Sequence, residues 1–502
     1  MQFLGLDIGS SSVKVSAIDE EGKVVASAQY PDQEMPIDAP QAGFAEQDPA
    51  MWWEAIQKGI ARLHENPAFN GQELGAIGIT YQMHGLVTVD EDKNVIRPSI
   101  IWCDSRAVEI GDAAFKAIGE SQCLNEFMNS PGNFTASKLK WVKENEPENF
   151  AKIHKFMLPG DYVGMKLTGE ISTTISGLSE GILWNFKHNR LNTELLEHYG
   201  IPFTMVADVK ETFTDHGVVT KEIAEQLGIK AGIPITYKAG DQPNNAFSLN
   251  VVNPGEIAAT GGTSGVVYGV TDEAKCDPKS RVNPFAHVNH TEDTQRLGVL
   301  LCINGTGIAN SWLQKNITSN MDYVSMNDAA EQSPIGANGL SYLPFGNGAE
   351  RVLENSNVGA HYSNIDFNRH NQNDMIRATQ EGIVFSFQYG IEVMQDMGLK
   401  PEVIRAGHAN MFLSPLFRQT LANVCGAPIE LLDTDGARGA ATGAAVGVKH
   451  FNTFEEAFQS LNVIKTIMPE TDKLKETQAA YALWKETLLK VLDKEHSTVQ
   501  SS

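Results

Sequence analysis

Two Gly/Ser/Thr stretches constrain this chain more than any other feature, because they recur in the same context 253 residues apart. Gly9-Ser10-Ser11-Ser12-Val13 and Gly262-Thr263-Ser264-Gly265-Val266 each stand between two apolar, β-branched runs, so each reads as the tip of a β-hairpin. "QFLGLDI" (2–8), "SVKVSAI" (12–18) and "KVVASAQY" (23–30) surround the first; "GEIAAT" (255–260), "GVVYGV" (265–270) and "LGVLLCI" (297–303) surround the second. A repeat spanning half of 502 residues is no short-period solenoid. It predicts two α/β domains of related topology facing each other across a cleft. The turn cluster "NVVNPGE" marks the boundary near residue 250, giving an N-terminal domain over 1–250 and a C-terminal domain over 251–502.

The intervening segments support this reading. Asp48 as N-cap, Pro49 at the first helical position, and Trp52, Ile56, Ile60 and Leu63 on one face predict a helix. "LGAIGIT" (74–80) is a nearly all-apolar strand of the buried, parallel kind. Helices are expected over 305–316, 375–397 and 437–449, and a charged helical segment over 466–494 with a frayed tail at 496–502.

Charge narrows the function. Asp and Glu number 62 against 39 Lys and Arg, a formal net charge of −23, which disfavours nucleic acid and anionic membrane surfaces as partners. An anionic small ligand would need backbone N–H groups or a divalent cation. There is no apolar run of ~18 residues and no basic leader, so the expected location is cytoplasmic. Five scattered cysteines without a CxxC pair indicate neither a disulfide framework nor a zinc site.

Several stretches could carry chemistry. Each hairpin tip is either an ordinary tight turn or a phosphate cradle in which glycine lets N–H groups converge and hydroxyls add donors. Asp7 is either a Mg²⁺ ligand or an Asx-turn acceptor, and Lys14 either a phosphate partner or a solvated strand residue. "TYQMHGL" (80–86) puts Gln82, Met83 and His84 at a strand's carboxyl end, where α/β sheets bind ligands. "WCDSR" (102–106) reads as a salt-bridged turn. "RAGHAN" (405–410) joins a strand to a helix through small residues on which a flat ring could lie. In "AGDQPNNA" (239–246), Asp241 is an N-cap with Gln242 at N1 and Pro243 at N2, a chemical tool, or both. The helix N–H groups and dipole would hold its carboxylate ionised.

Taken in order, "GLDIGSSSVKV", "EQDPAMWWEA", "GITYQMHG", "IIWCDSRA", "LPGDYV", "AGDQPNNA", "TGGTSGVV", "LPFGNGAER" and "ATGAAVG" resemble the FGGY family of carbohydrate kinases, within the actin, Hsp70 and sugar kinase superfamily. The resemblance runs over residues 2 to 450, and Met83-His84 is similar to the xylulokinase branch. It implies two RNase H-like domains, each with a mixed five-stranded sheet, and an active site at the bottom of the interdomain cleft. It implies ATP and Mg²⁺ as cofactors, D-xylulose as the sugar, a homodimer, and Asp241 as catalytic base; the alternatives are another sugar or polyol such as ribulose, gluconate or an uncommon ketose, or a non-catalytic nucleotide- and sugar-binding protein. By the same resemblance Met83, His84, Asp241 and Gln242 line the sugar site. Ser10, Ser11, Ser12, Lys14, Gly262, Thr263, Ser264 and Gly265 hold phosphates. Gly407, His408 and Asn410 support the adenosine, and Asp7 and Asp241 hold the metal. The chain departs from the family pattern in Gly-Asp-Gln-Pro-Asn-Asn at 240–245, where sugar contacts are expected to differ, and in "AGHAN", where His408 and Asn410 add bulk near the purine.

Overall fold

The structure, a computed structural model, describes residues 1–499. Both halves are built on the same strand order. In the first, β1 (Gln2–Ile8), β2 (Val13–Ile18) and β3 (Val24–Tyr30) form an antiparallel meander. Helix α1 (Pro49–Leu63) follows, capped by Asp48, whose carboxylate accepts from the Ala50 N–H at 2.9 Å; Trp52, Ile56, Ile60 and Leu63 are buried. Strand β4 (Leu74–Tyr81) then pairs parallel to β1. Helices α2 (Thr135–Asn145) and α3 (Ile175–Glu180) belong to the long excursion before β5 (Ile235–Gly240), which pairs parallel to β4 and leads into α4 (Asp241–Ser248).

The second half repeats the pattern. β6 (Glu256–Gly261) and β7 (Gly265–Thr271) form the hairpin, β8 (Asn283–Ala286) is added at the edge, and β9 (Leu297–Ile303) closes the meander. Helices α5 (Gly307–Asn316), α6 (Tyr323–Glu331) and α7 (Gln372–Asp396) precede β10 (Val403–Gly407), parallel to β6, and β11 (Ile429–Leu432), parallel to β10. Helix α8 (Gly436–Gly447), edge strand β12 (Val463–Ile467) and helix α9 (Leu474–Val499) complete the chain.

Two expectations need correction. The second sheet has seven strands rather than five. Its extra strands are both edges: one is only four residues long and contains a proline, although all four positions are buried, and the other is exposed at four of its five positions. The charged segment expected to be helical from 466 begins as that edge strand, and its helix starts at Leu474. The tail at 496–502 is helical as far as Val499, and its last three residues lie outside the described residues.

Helix α8 comes late in the chain yet packs on the first sheet. Ala440, Ala441, Ala444 and Ala445 share a buried cluster with Phe3, Tyr237 and Ala239. Only side chains this small let a helix lie so close to a sheet. The two halves also meet where Ser176 Oγ donates to Ala286 O and the Ala286 N–H donates to Ser179 Oγ, both at 2.9 Å. Among the described residues, no helix is long and apolar enough to cross a membrane.

Candidate functional site

The parallel strands of the first sheet end together. In their register Ile8 lies opposite Tyr81, and Tyr81 opposite Gly240, so the segments after Asp7, Tyr81 and Gly240 leave the same edge. Chain ends of this kind form the ligand crevice of α/β sheets. Met83, His84 and Asp241 are therefore neighbours by topology, and Lys14, opposite Asp7 in the β1–β2 ladder, joins them.

Asp241 is not the N-cap. β5 runs in extended form through Gly240 (φ −60°, ψ 158°), which caps α4, so Asp241 is N1, Gln242 N2 and Pro243 N3. A β-carbon on Gly240 would lie 2.6 Å from Met83 Cγ and 3.3 Å from Glu180 Oε2, so the turn into α4 is pressed tightly onto these two residues. Burial pushes the Asp241 carboxyl up to about 7, against the pull of the Gln242 amides and its own N–H. The expectation that helix amides keep it firmly ionised is thus only half met: they favour the charged form, and desolvation outweighs them. Gln242, expected to face the sugar, has its side-chain amide against the Asp241 carboxylate.

His84 sits in the left-handed region (φ +63°), unusual for a residue with a β-carbon, and three partners hold it there. Its N–H donates to Glu180 Oε2 at 3.1 Å, its Nδ1 lies 2.9 Å from Glu180 O, and its carbonyl accepts from Lys138 Nζ at 2.9 Å. Burial, aided by the Lys138 charge, lowers its pKa to about 3, so the ring is neutral. With Nδ1–H assigned to the Glu180 carbonyl, Nε2 is left as an acceptor of the kind a sugar hydroxyl can use.

Glu180 and Lys138 were missed by sequence reasoning. Both are fully buried, far in sequence from His84, and lie in helices whose pattern reads as ordinary. Glu180 also accepts from Tyr81 Oη at 2.7 Å, and burial raises its pKa well above the ordinary carboxyl value. The salt-bridged turn at "WCDSR" is present: Arg106 pairs with Asp104 and Glu46, each at 2.7 Å. Trp102 from that turn stays half-exposed, its Nε1 3.4 Å from Ser10 Oγ at the first tip.

The two tips are anchored in the same way. At the first, the carbonyls of Ser10, Ser11 and Ser12 accept from Gln47 Nε2, Met35 N and Gly9 N at 2.7, 2.7 and 3.0 Å. At the second, the carbonyls of Gly262 and Thr263 accept from the N–H groups of Gly307 and Ile308 at 2.9 and 3.2 Å. Tying down the carbonyl side is what a cradle for an anion requires. A cavity of about 460 Å³ opens beside the second tip, with Gly262, Thr263 and Asn410 in its wall together with Ile308, Asn310 and Tyr323. Its size suits a nucleoside. Ser264 and Gly265 follow at the same tip, while Gly407 and His408 lie at the end of β10 outside the cavity wall, with His408 exposed.

Carboxylate charge concentrates around Asp7, just before the first tip. Asp7 is pushed up to about 7 by burial, then by the Asp241 and Asp435 charges, with Lys14 pulling the other way. An all-oxygen donor set with surplus negative charge suits Mg²⁺, which keeps few carboxylate ligands and completes its shell with water and phosphate. Among the described residues no three His, Cys, Asp or Glu side chains form a metal cage. Asp7 and Asp241 are the side chains that fit this role. Asp7 is therefore costly to the empty protein. Its carboxyl ionises near 3.8 when unfolded and near 7 when folded, so the penalty is full above pH 7, shrinks as pH falls between those values and vanishes below 3.8. Asp7→Asn is expected to raise the nucleotide-free melting temperature by several degrees at pH 8 and to lose most of that advantage by pH 4.5, checked by thermal melts across pH.

Comparison with known proteins adds a family and relatives. The profile of the FGGY family of carbohydrate kinases, N-terminal domain, matches residues 2–248, and that of the C-terminal domain matches residues 257–448. The xylulose kinase of Staphylococcus xylosus is 29% identical over 463 residues, covering 90% of this chain and 92% of its own. The xylulose kinase of Escherichia coli strain K12 is 27% identical over 491 residues, covering 97% of each. The crystal structure of gluconate kinase from Lactobacillus acidophilus shares the fold, with a TM-score of 0.90 at 23% identity over 98% of each chain.

Proposed function

The chain belongs to the FGGY family of carbohydrate kinases, a sugar kinase using ATP and Mg²⁺, and from that premise we propose that it phosphorylates the 5-hydroxyl of D-xylulose with Asp241 as general base. The observation that most supports this reading is the place of Asp241. It starts a helix at the sheet edge where the sugar-side residues Met83 and Glu180 press on the preceding glycine, and its charge reaches Asp7 on the phosphate side. A group between sugar and phosphate sites is where a base must stand.

In this reading the neutral His84 accepts a sugar hydroxyl at Nε2, and the Asp241 carboxylate orients the reacting hydroxyl and takes its proton. Phosphoryl transfer has a loose transition state, so positioning and charge stabilisation outweigh base strength. In the absence of the cation, burial leaves this carboxyl with a pKa about 7, a readier proton acceptor than an ordinary one. The tips Ser10–Ser12 and Gly262–Gly265, with Lys14, would bind phosphate oxygens, and Asn410 would flank the adenosine. Mg²⁺, held by Asp7 and Asp241, would supply counter-charge for the phosphates.

A second reading, phosphorylation of a sugar acid, is favoured by Arg351. This partly buried C-terminal-domain cation acts electrostatically on His84; its hydrogen bond to Ser280 O is long, at 3.4 Å, and the Asp112 carboxylate already acts on it electrostatically. A carboxylate-bearing sugar would give it a closer partner. The test is a coupled ADP assay over D-xylulose, D-ribulose, D-gluconate and glycerol. D-xylulose is expected to have the highest kcat/KM by more than tenfold, ~1.4 kcal/mol; a tenfold preference for gluconate would replace the first reading with the second.

A further inference from the structure

Two phenyl rings grip the imidazole of His84: Phe134, just before α2, at 4.8 Å between centroids, and Phe285, on β8 of the C-terminal domain, at 5.5 Å. Apolar faces fix the plane of a ring but do not tell its nitrogens from its carbons. That choice falls to Glu180, whose main-chain carbonyl lies 2.9 Å from Nδ1. Among the described residues Nε2 has no hydrogen-bond partner, yet it is not one of the enclosed polar atoms, so it belongs to the 18% of the side chain that stays open. The same residue holds the main chain. The His84 N–H donates to Glu180 Oε2 at 3.1 Å and supports a φ of +63°, which a residue with a β-carbon adopts only under constraint. Lys138 Nζ takes the carbonyl of His84 but divides itself with Ile101 O, at 2.9 Å each. Glu180 is itself fixed, because Tyr81 Oη donates to Oε1 at 2.7 Å and α3 is tied to Ala286 through Ser176 and Ser179. At 1% exposure it is out of reach of a ligand.

We propose that Glu180 is a positioning residue for sugar binding: its carboxyl holds the main chain of His84 and its carbonyl the ring, so that Nε2 is presented as an acceptor to a sugar hydroxyl. The inference rests on reading His84 as part of the sugar site. Only an acceptor oxygen is required of the side chain. Burial raises the Glu180 carboxyl well above its ordinary range, which favours the uncharged form, so a carboxamide can replace it. Its other close neighbour is the turn into α4, where a β-carbon on Gly240 would lie 3.3 Å from Oε2. An effect passed that way would reach Asp241 and fall on kcat, whereas one passed through His84 falls on sugar affinity.

The test is a double-mutant cycle on D-xylulose affinity, read by calorimetry, with steady-state kcat measured alongside. His84→Asn tolerates the left-handed backbone and withdraws Nε2; it is expected to weaken D-xylulose about tenfold. Glu180→Met, of similar length and without an acceptor, should also weaken it about tenfold, with kcat and ADP affinity within threefold of wild type. Glu180→Gln keeps the oxygen and should bind D-xylulose within threefold of wild type. In the His84→Asn background, Glu180→Met should cost less than a further threefold, because the group it positions is gone. A merely structural role would give the product of the two losses, about a hundredfold, and that result overturns the assignment. So does an undiminished affinity in Glu180→Met, a Glu180→Gln as weak as Glu180→Met, or a loss that falls on kcat. Should Glu180→Met not fold, Tyr81→Phe removes only the hydroxyl that anchors Oε1; it should weaken D-xylulose about fivefold alone and leave His84→Asn unchanged, and equal losses in both backgrounds overturn the assignment. Wild-type protein that does not bind D-xylulose, or binding that His84→Asn leaves untouched, overturns the sugar-site reading itself, which tells the two failures apart.

Discussion

Asp241→Asn is expected to lower kcat about 10³-fold while leaving sugar affinity within a few-fold, as measured by steady-state ADP release and by calorimetry with the sugar alone. The size follows from what the substitution removes. Asparagine has nearly the same shape and keeps an oxygen to orient a hydroxyl, but it cannot take the proton, and positioned acid–base groups contribute about 10²- to 10⁴-fold. In the proposed reading Met83 and His84 hold the sugar independently of Asp241, so the loss should fall on kcat rather than on binding. The protein should tolerate the change well, because burial already pushes the Asp241 carboxyl up to about 7 and a neutral amide avoids that desolvation cost. Near-normal turnover in a folded variant would remove Asp241 from the chemistry.

Much of the architecture was legible in the residues themselves. The first meander, the cap and buried face of α1, and the all-apolar β4 follow local rules that the tertiary structure does not override. The repeat of the tips is carried by side chains whose spacing survives in both sheets. The less legible parts have one cause: they depend on partners distant in the chain. Whether Asp241 stands at the N-cap or one residue later is decided by how far β5 continues, and β5 continues because β4 pairs with it through Gly240. Glu180 looks like any helix residue until Tyr81 and the His84 amide are brought to it from a hundred residues away. Edge strands are equally quiet, because one unpaired side relaxes the demand for alternation.

Gly78→Ala is expected to be among the most damaging single methyls in the molecule outside the site. A β-carbon there would stand 2.0 Å from the backbone oxygen of Ala440, and one on Gly5 would stand 1.9 Å from that of Ala437. These neighbours are backbone atoms of one helix, so no rotamer change relieves the clash, and α8 must move away from the sheet by more than an ångström. Overpacking of a rigid core costs about 1 to 3 kcal/mol and more where backbone must shift, so a loss of at least about 3 kcal/mol, or roughly 5 °C or more in melting temperature, is expected. The effect should reach catalysis too, since the start of α8 is joined to α4 by the bond from Asn244 Nδ2 to Gly436 O at 2.9 Å, and Asp435 bears on Asp7. Gly164→Ala is the control: its β-carbon would meet Lys238 Cδ at an ordinary 3.6 Å inside a helix, where alanine is favoured over glycine by up to about 1 kcal/mol, so its melting temperature should hold or rise. Because Gly5 and Gly78 press on the same helix, the double variant should lose less than the sum of the single losses, since a helix already displaced by one methyl makes room for the other. Strict additivity would mean that each methyl is accommodated locally and that α8 does not move as a unit.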